Sequence, residues 1–244
     1  MPKVLIIGAA ADVGRELCHL YGKVGYDLVL AARNINRLEA DKSDYEIRYN
    51  IKVELLEFDV TDYWSHEKAL EPYMQNIEGA IYVAGYLGDH EKAKADWDEA
   101  QNIIDVNYSG AVSALNIIAN SFEKRQSGWI VGISSVAGDR GRGSNYYYGS
   151  AKAAFSSYLS GLRSRLSHSG FNVLTVKPGF IETKMVAHFP PTPKPITASA
   201  QKVAKDTFKA QQKKKNVIYT VWPWFWIMVI IKHLPESIFK KLKF

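Results

Sequence analysis

Residues 3–14, KVLIIGAAADVG, join an unbroken apolar run to a glycine-bounded turn and then to a segment of helical spacing. A run that is apolar throughout, rather than at alternate positions, suits a strand buried on both faces. A glycine turn opening a helix points backbone N–H groups and the helix dipole at one spot, where a pyrophosphate can sit. Gly8 takes the turn, Ala11, Asp12 and Val13 follow it, and Gly14 lets helix and strand approach closely. The spacing is not G-x-G-x-x-G, so the loop alone also reads as a plain strand-to-helix turn.

The same unit repeats along the 244 residues. Lys3–Ile7, Asp27–Ala31, Lys52–Phe58, Ala80–Ala84, Trp129–Ser134 and Asn172–Lys177 are expected strands. Helices are expected near Val13–Tyr21, Tyr63–Pro72, Trp97–Lys124 and Tyr146–Ser169. A Pro-rich loop, FPPTPKPIT (189–197), then leads to a helix near 198–212 and a last strand near Val217–Thr220. Strict alternation implies βαβ crossovers and a Rossmann-type, doubly wound parallel sheet in a single α/β domain. That domain spans 1–220, and 221–244 form a C-terminal aromatic and basic extension.

Composition excludes several classes. The lone Cys18 permits no intramolecular disulfide and fits a reducing, cytoplasmic setting. The N-terminus lacks the charged lead-in and long apolar core of a signal peptide. His19, His66, His90, His168, His188 and His233 show no paired ligand spacing, so no metal site is expected. The net charge of +6 is concentrated in the tail, where ten lysines after residue 200 face only Asp206 and Glu236. Those lysines bracket VWPWFWIMVII (221–231) and no arginine joins them, which argues against nucleic acid and suits an anionic lipid surface.

Residues at the carboxyl ends of successive strands are the ones that meet a ligand in such a sheet. The second strand ends at Arg33, where many dinucleotide folds place an acid for the ribose 2′-hydroxyl. An arginine there, joined by Arg15 in the first helical turn, pairs with a 2′-phosphate and favours NADP(H) over NAD(H); both arginines also read as solvated surface residues. Asp59 can accept a hydrogen bond from an adenine amino group, with Val60 beside it. The small residues Ala84 and Gly85 admit a flat ring.

In NYYYGSAKAAF (145–155), Tyr148 and Lys152 are four apart and share a helix face. A nearby ammonium and a positively charged nicotinamide ring favour the phenolate and bring a phenol down from its usual value near ~10, making Tyr148 the expected acid. Gly149 and Ala151 leave the helix thin enough for a cofactor to lie against it, and Tyr146 and Tyr147 are expected as loop or pocket walls. Ser135, at the end of the fifth strand, can hydrogen-bond the reacting oxygen. Asn107, within the long helix before it, can hold a water linked to Lys152.

With these motifs in register, the chain resembles the short-chain dehydrogenase/reductase family over essentially its full length. The resemblance implies Asn107, Ser135, Tyr148 and Lys152 as a catalytic tetrad. It also implies that PGFIET (178–183) meets the nicotinamide, through Pro178, Gly179, Ile181 and Thr183. Two positions depart from the pattern. Ile7 stands where the family usually has Thr, and Asp12 where it has a second loop glycine; an acid there must point away from the pyrophosphate or cap the helix. Such a protein is an NAD(P)-dependent oxidoreductase of a secondary ketone, and homo-oligomers are usual.

Four stretches are similar to a narrower branch that includes decaprenylphosphoryl-2-keto-ribose reductase. They are GAAADVG (8–14), GYLGD (85–89), SSVAGDRGRGSNYYYGSAKA (134–153) and KHLPESIFKKLKF (232–244). They imply a keto-sugar on a lipid carrier; reductases of steroids, lipids or oxoacyl carriers, and a non-catalytic dinucleotide sensor, are the alternatives. The run Val217–Ile231 holds Pro223 and is too short to span a bilayer. It either lies flat on a membrane, making the protein peripheral on the cytoplasmic face, or packs over the core, the pocket or a second subunit.

Overall fold

The computed structural model describes residues 1–167, 170–183 and 193–242. Its main sheet is built from β1 (Lys3–Ile7), β2 (Asp27–Ala32), β3 (Val53–Glu57), β4 (Ile77–Tyr82), β5 (Trp129–Ile133), β6 (Asn172–Lys177) and β9 (Val217–Tyr219). Every pairing is parallel, in the order β3-β2-β1-β4-β5-β6-β9. Two short strands, β7 (Phe180–Glu182) and β8 (Thr197–Ser199), pair separately. The chain builds outward from β1 to β3, returns to place β4 on the other side of β1, and so leaves a crevice between the carboxyl ends of β1 and β4.

The helices are α1 (Asp12–Lys23), α2 (Glu39–Tyr49), α3 (His66–Leu70), α4 (His90–Ala95), α5 (Trp97–Ile104), α6 (Gly110–Arg125), α7 (Tyr146–Leu166), α8 (Ala200–Gln212), α9 (Pro223–His233) and α10 (Glu236–Phe239). Successive strand residues face opposite ways, so one sheet makes two cores. Val4, Ile6, Leu28 and Leu30 pack under α1 and α8 with Leu17, Tyr21 and Val203. Leu5, Ile7, Val29 and Tyr82 pack under α6 and α7 with Leu115, Ile118, Phe155 and Leu159.

Several boundaries differ from expectation for local reasons. β4 runs Ile77–Tyr82 rather than Ala80–Ala84, because the amides of Val83 and Ala84 both turn to the Ile7 oxygen and end the ladder. The expected Trp97–Lys124 helix is broken by a π-helical turn at Asp105–Ser109. There Asn107 Nδ2 takes the Ile103 oxygen and the Tyr82 hydroxyl takes that of Val106, both acceptors of the helix ladder. In place of Tyr63–Pro72 there is the short α3 followed by a 3-10 turn, Glu71–Tyr73. α7 closes at Leu166, and Ser169, His168, His188, residues 189–192 of the Pro-rich loop, Lys243 and Phe244 lie outside the described residues. No cluster of metal-ligating side chains occurs among the described residues, and none of their helices is long and apolar enough to cross a membrane.

Candidate active site

The crevice opens at Gly8, whose φ of +92° and lack of a side chain are both required: a Cβ there would stand 2.5 Å from the Ala84 nitrogen. Gly14 fits under the turn for a similar reason, a Cβ lying 2.6 Å from the Gly8 oxygen. Ala11, rather than Asp12, is the N-cap of α1, and Asp12 lies in the first turn, where the helix dipole favours an acid. The turn, the first-turn amides and the small Ala84 and Gly85 form a cradle that suits a dinucleotide pyrophosphate.

The two expected arginines are not equivalent. Arg15 pairs with Asp41 of α2 and also donates to the Arg37 oxygen at 3.2 Å, so the expected two-arginine clamp is not assembled. Arg33 is exposed and has neither ion pair nor hydrogen bond among the described residues. Asp59 Oδ1 accepts from the Thr61 amide and hydroxyl at 2.9 and 2.8 Å. Val60 is buried behind it.

The Ser135 side chain, whose Oγ accepts from the Ala137 amide at 3.1 Å, stands beside the Tyr148 phenol and favours its ionised form. The loop after β5 lies directly on α7, where a Cβ on Gly149 would sit 3.0 Å from the Ala137 oxygen. Gly149 therefore makes room for the serine loop, not for a cofactor as its size alone suggested. Ser134 fastens the same junction, its Oγ 3.0 Å from the Lys152 oxygen and 2.7 Å from Ser156 Oγ. Lys152 is 3% exposed; its Nζ donates to the Ile133 oxygen at 3.1 Å and lies 5.7 Å from the Tyr148 ring centre.

Asn107 is fully buried, and both amide hydrogens are used: Nδ2 donates to the oxygens of Tyr86 (2.5 Å) and Ile103 (2.8 Å), and Oδ1 accepts from the Tyr86 amide. Its amide donors are thus not available for the expected water; they tie the π-turn to the chain leaving β4. Tyr146 and Tyr147 cluster with His90, at ring distances of 4.6 and 5.6 Å. On the far side, Pro178 accepts from the Val136 amide at 2.9 Å, Ile181 pairs with Ala198, and Thr183 follows β7.

Sequence reasoning passed over three features here. Glu99 is buried and holds the Tyr86 hydroxyl at 2.9 Å. Asp139 and Arg140 lie at the centre of a polar network, and Trp224 lies on Gly179. The only sequence signal for them was the idiosyncratic GDRGR stretch (138–142).

The short chain dehydrogenase family model matches residues 2–194. The chain belongs to that family. Like the proteins it resembles, this dehydrogenase is an NAD(P)-dependent oxidoreductase. An uncharacterized oxidoreductase of Mycobacterium tuberculosis is 31% identical, covering 98% of this chain and 96% of its own length. A short-chain dehydrogenase from Sphingobium yanoikuyae in complex with NADPH superposes with a TM-score of 0.83 at 22% identity, over 97% of this chain and 98% of its own. One from Burkholderia cenocepacia in complex with NADP gives 0.84 at 19%, over 99% and 97%.

Burial dominates the titration of the dehydrogenase's two central groups. It pushes the Tyr148 phenol up to about 12, the Ser135 hydrogen bond pulling the other way, and lowers the Lys152 ammonium to about 7. The expected depression of Tyr148 by Lys152 is thus absent from this structure, and the phenol keeps its proton at neutral pH.

The lysine shift has a measurable consequence. Unfolded chain retains the Lys152 proton into the ordinary lysine range, whereas folded protein releases it near 7. The unfolded state therefore binds more protons between those values, and this group makes stability rise with pH across that window. Urea denaturation between about pH 7 and pH 9.5 should show wild type gaining stability relative to Lys152→Met by up to roughly 1.4 kcal/mol per pH unit. Parallel profiles would rule out the depressed lysine.

Proposed function

We propose that the protein reduces a secondary ketone with NADPH, Tyr148 being the proton donor. The observation that carries this reading is a protonated phenol beside the Ser135 side chain, its ring centre 5.7 Å from the amine of a buried lysine. Bound reduced nicotinamide supplies the hydride. Tyr148 gives its proton to the substrate oxygen as charge develops there, and Ser135 donates a second hydrogen bond to that oxygen. Lys152 would hold the nicotinamide ribose. Asn107 acts at one remove, by fixing the π-turn and the Tyr86 backbone. Gly8, Ala11, Asp12, Val13 and Gly14 surround the pyrophosphate, Asp59 and Val60 meet the adenine, Ala84 and Gly85 flank the sugar, and Pro178, Gly179, Ile181 and Thr183 meet the nicotinamide.

Tyr148→Phe should lower turnover at least ~100-fold while NADP⁺ binding, followed by tryptophan quenching, stays within about twofold. A phenylalanine variant that turns over at the wild-type rate overturns the assignment.

The NADPH preference rests on the partnerless Arg33 and is supported by the NADPH and NADP complexes of two structural relatives. A charge-assisted contact to a 2′-phosphate contributes about 1.5–3 kcal/mol. NADPH should therefore exceed NADH in kcat/KM by about tenfold or more, and Arg33→Ala should remove most of the difference. Equal efficiency of the two cofactors in wild type would refute the preference.

For substrate and setting, we propose a keto-sugar on a lipid carrier, met by a cytoplasmic enzyme at the membrane face. Residues 1–220 are the catalytic unit, 221–244 its membrane-facing extension, and α5–α6 with α7 the contact of a homo-oligomer. Trp222, just before α9, and Phe225, Trp226 and Ile230 on it are exposed, and Ile238 and Leu242 follow. Lys213, Lys214, Lys215, Lys232, Lys240 and Lys241 accompany them, each worth about 1 kcal/mol near an anionic surface. The protein should sediment with phosphatidylglycerol vesicles at low salt, and a Trp226→Ser/Ile230→Ser variant should not. Wild type remaining in the supernatant would refute the membrane reading.

A further inference from the structure

The C-terminal extension is fastened to the loop that carries Ser135. From that loop, Arg140 Nη1 donates to the main-chain oxygens of Ile231 (2.5 Å) and Leu234 (2.7 Å), where α9 ends, and Nη2 to Glu236 Oε2 (2.7 Å). Its guanidinium lies over the Phe239 ring of α10, 3.8 Å from the centre. The neighbouring Asp139, whose side chain is 2% exposed, accepts from Lys177 Nζ at 2.5 Å and the Tyr219 hydroxyl at 2.6 Å. Two consecutive residues thereby tie the loop to the ends of β6 and β9 and to the extension.

The extension also grips the opposite wall of the site. Trp224 donates its indole N–H to the Ile196 oxygen at 2.7 Å and lies flush on Gly179, where a Cβ would stand 1.9 Å from Nε1. Val136, adjacent to Ser135, shares a buried cluster with Trp224, Met228, Ile231 and Phe239. At the root of the extension, Val221 has a φ of +60°. A β-branched residue is rarely found in that region and stays there only where its surroundings over-determine it. α9 therefore bridges the serine loop and the start of the Pro178–Thr183 segment under some tension.

We propose that Arg140 and Trp224 are positioning residues for the reaction: acting through α9, they clamp the Ser135 loop against the Pro178–Thr183 segment and keep the Ser135 hydroxyl registered on Tyr148. The inference rests on the ketone-reductase reading above. Beyond Ser135 the loop's own secondary structure is one 3-10 turn, Val136–Gly138, and the clamps add to the rigidity that the Val136–Pro178 bond and the Asp139 contacts give it. Displacing a reacting group by about 1 Å is enough to cost a large rate factor.

The test uses full-length Arg140→Ala, Arg140→Lys, Glu236→Gln, Trp224→Ala and Tyr148→Phe. NADPH oxidation is followed with whichever member of a panel of cyclic and vicinal diketones wild type reduces fastest. Arg140→Ala and Trp224→Ala should each lose about tenfold or more in kcat, with KM for NADPH and the dissociation constant of NADP⁺ within about twofold. Glu236→Gln keeps both carbonyl contacts of Arg140 and should stay near wild type; Arg140→Lys, which cannot fork, should fall between. Independently of any ketone, deuterium exchange over residues 134–142 and 178–183 should accelerate in Arg140→Ala while residues 1–31 do not change. If Arg140→Ala does not fold, Arg140→Lys and Trp224→Ala carry the same comparison. Wild-type kcat together with unchanged exchange over 134–142 overturns the inference. An active Tyr148→Phe fails the underlying reading instead, so the two failures are told apart.

Discussion

The carboxyl ends of β1 and β4 pass so closely that no side chain fits between them at Gly8. Everything at the site follows from that contact. It requires a left-handed glycine at the end of the first strand, which turns the chain into α1 and faces the start of that helix toward the crevice. It also brings the chain leaving β4 alongside the cradle, where the Tyr86 backbone can be held from below by Asn107.

On the other half of the site, polar side chains are satisfied by backbone before they face any substrate. Lys152 donates a hydrogen bond to the Ile133 oxygen, Ser134 to the Lys152 oxygen, and Asn107 to the Tyr86 and Ile103 oxygens. All but the Asn107–Ile103 bond join separate elements, so the chemical groups are placed by the same contacts that bring those elements together. An ammonium buried this deeply is costly, and the depressed titration of Lys152 records that cost.

The parts of this arrangement that were legible in the sequence are those with a short-range signature. β1 and β6 are nearly continuous apolar runs, buried at almost every position, and their limits were readable to the residue. Tyr148 and Lys152 meet because a helix brings residues four apart onto one face. α2 was not legible: it buries only Tyr45, so its sequence shows almost no apolar period. α9 was hidden for the opposite reason, being apolar on nearly every side. The π-turn depends on what Asn107 and Tyr82 find across the fold, and Arg15 could not be seen to belong to Asp41, which lies on another helix. Arg140 meets partners more than ninety residues away, a pairing no local pattern encodes.

The two Arg140 contacts at the end of α9 are made to main-chain oxygens. Every amino acid carries that acceptor, so Ile231 and Leu234 can be exchanged for other residues without deleting either bond. Inheritance of the latch thus demands one arginine and a helix of the right length, and leaves the lettering of the outward side unconstrained. A lineage can rewrite Trp222, Phe225, Trp226 and Ile230 to suit new surroundings while the inner geometry descends unaltered.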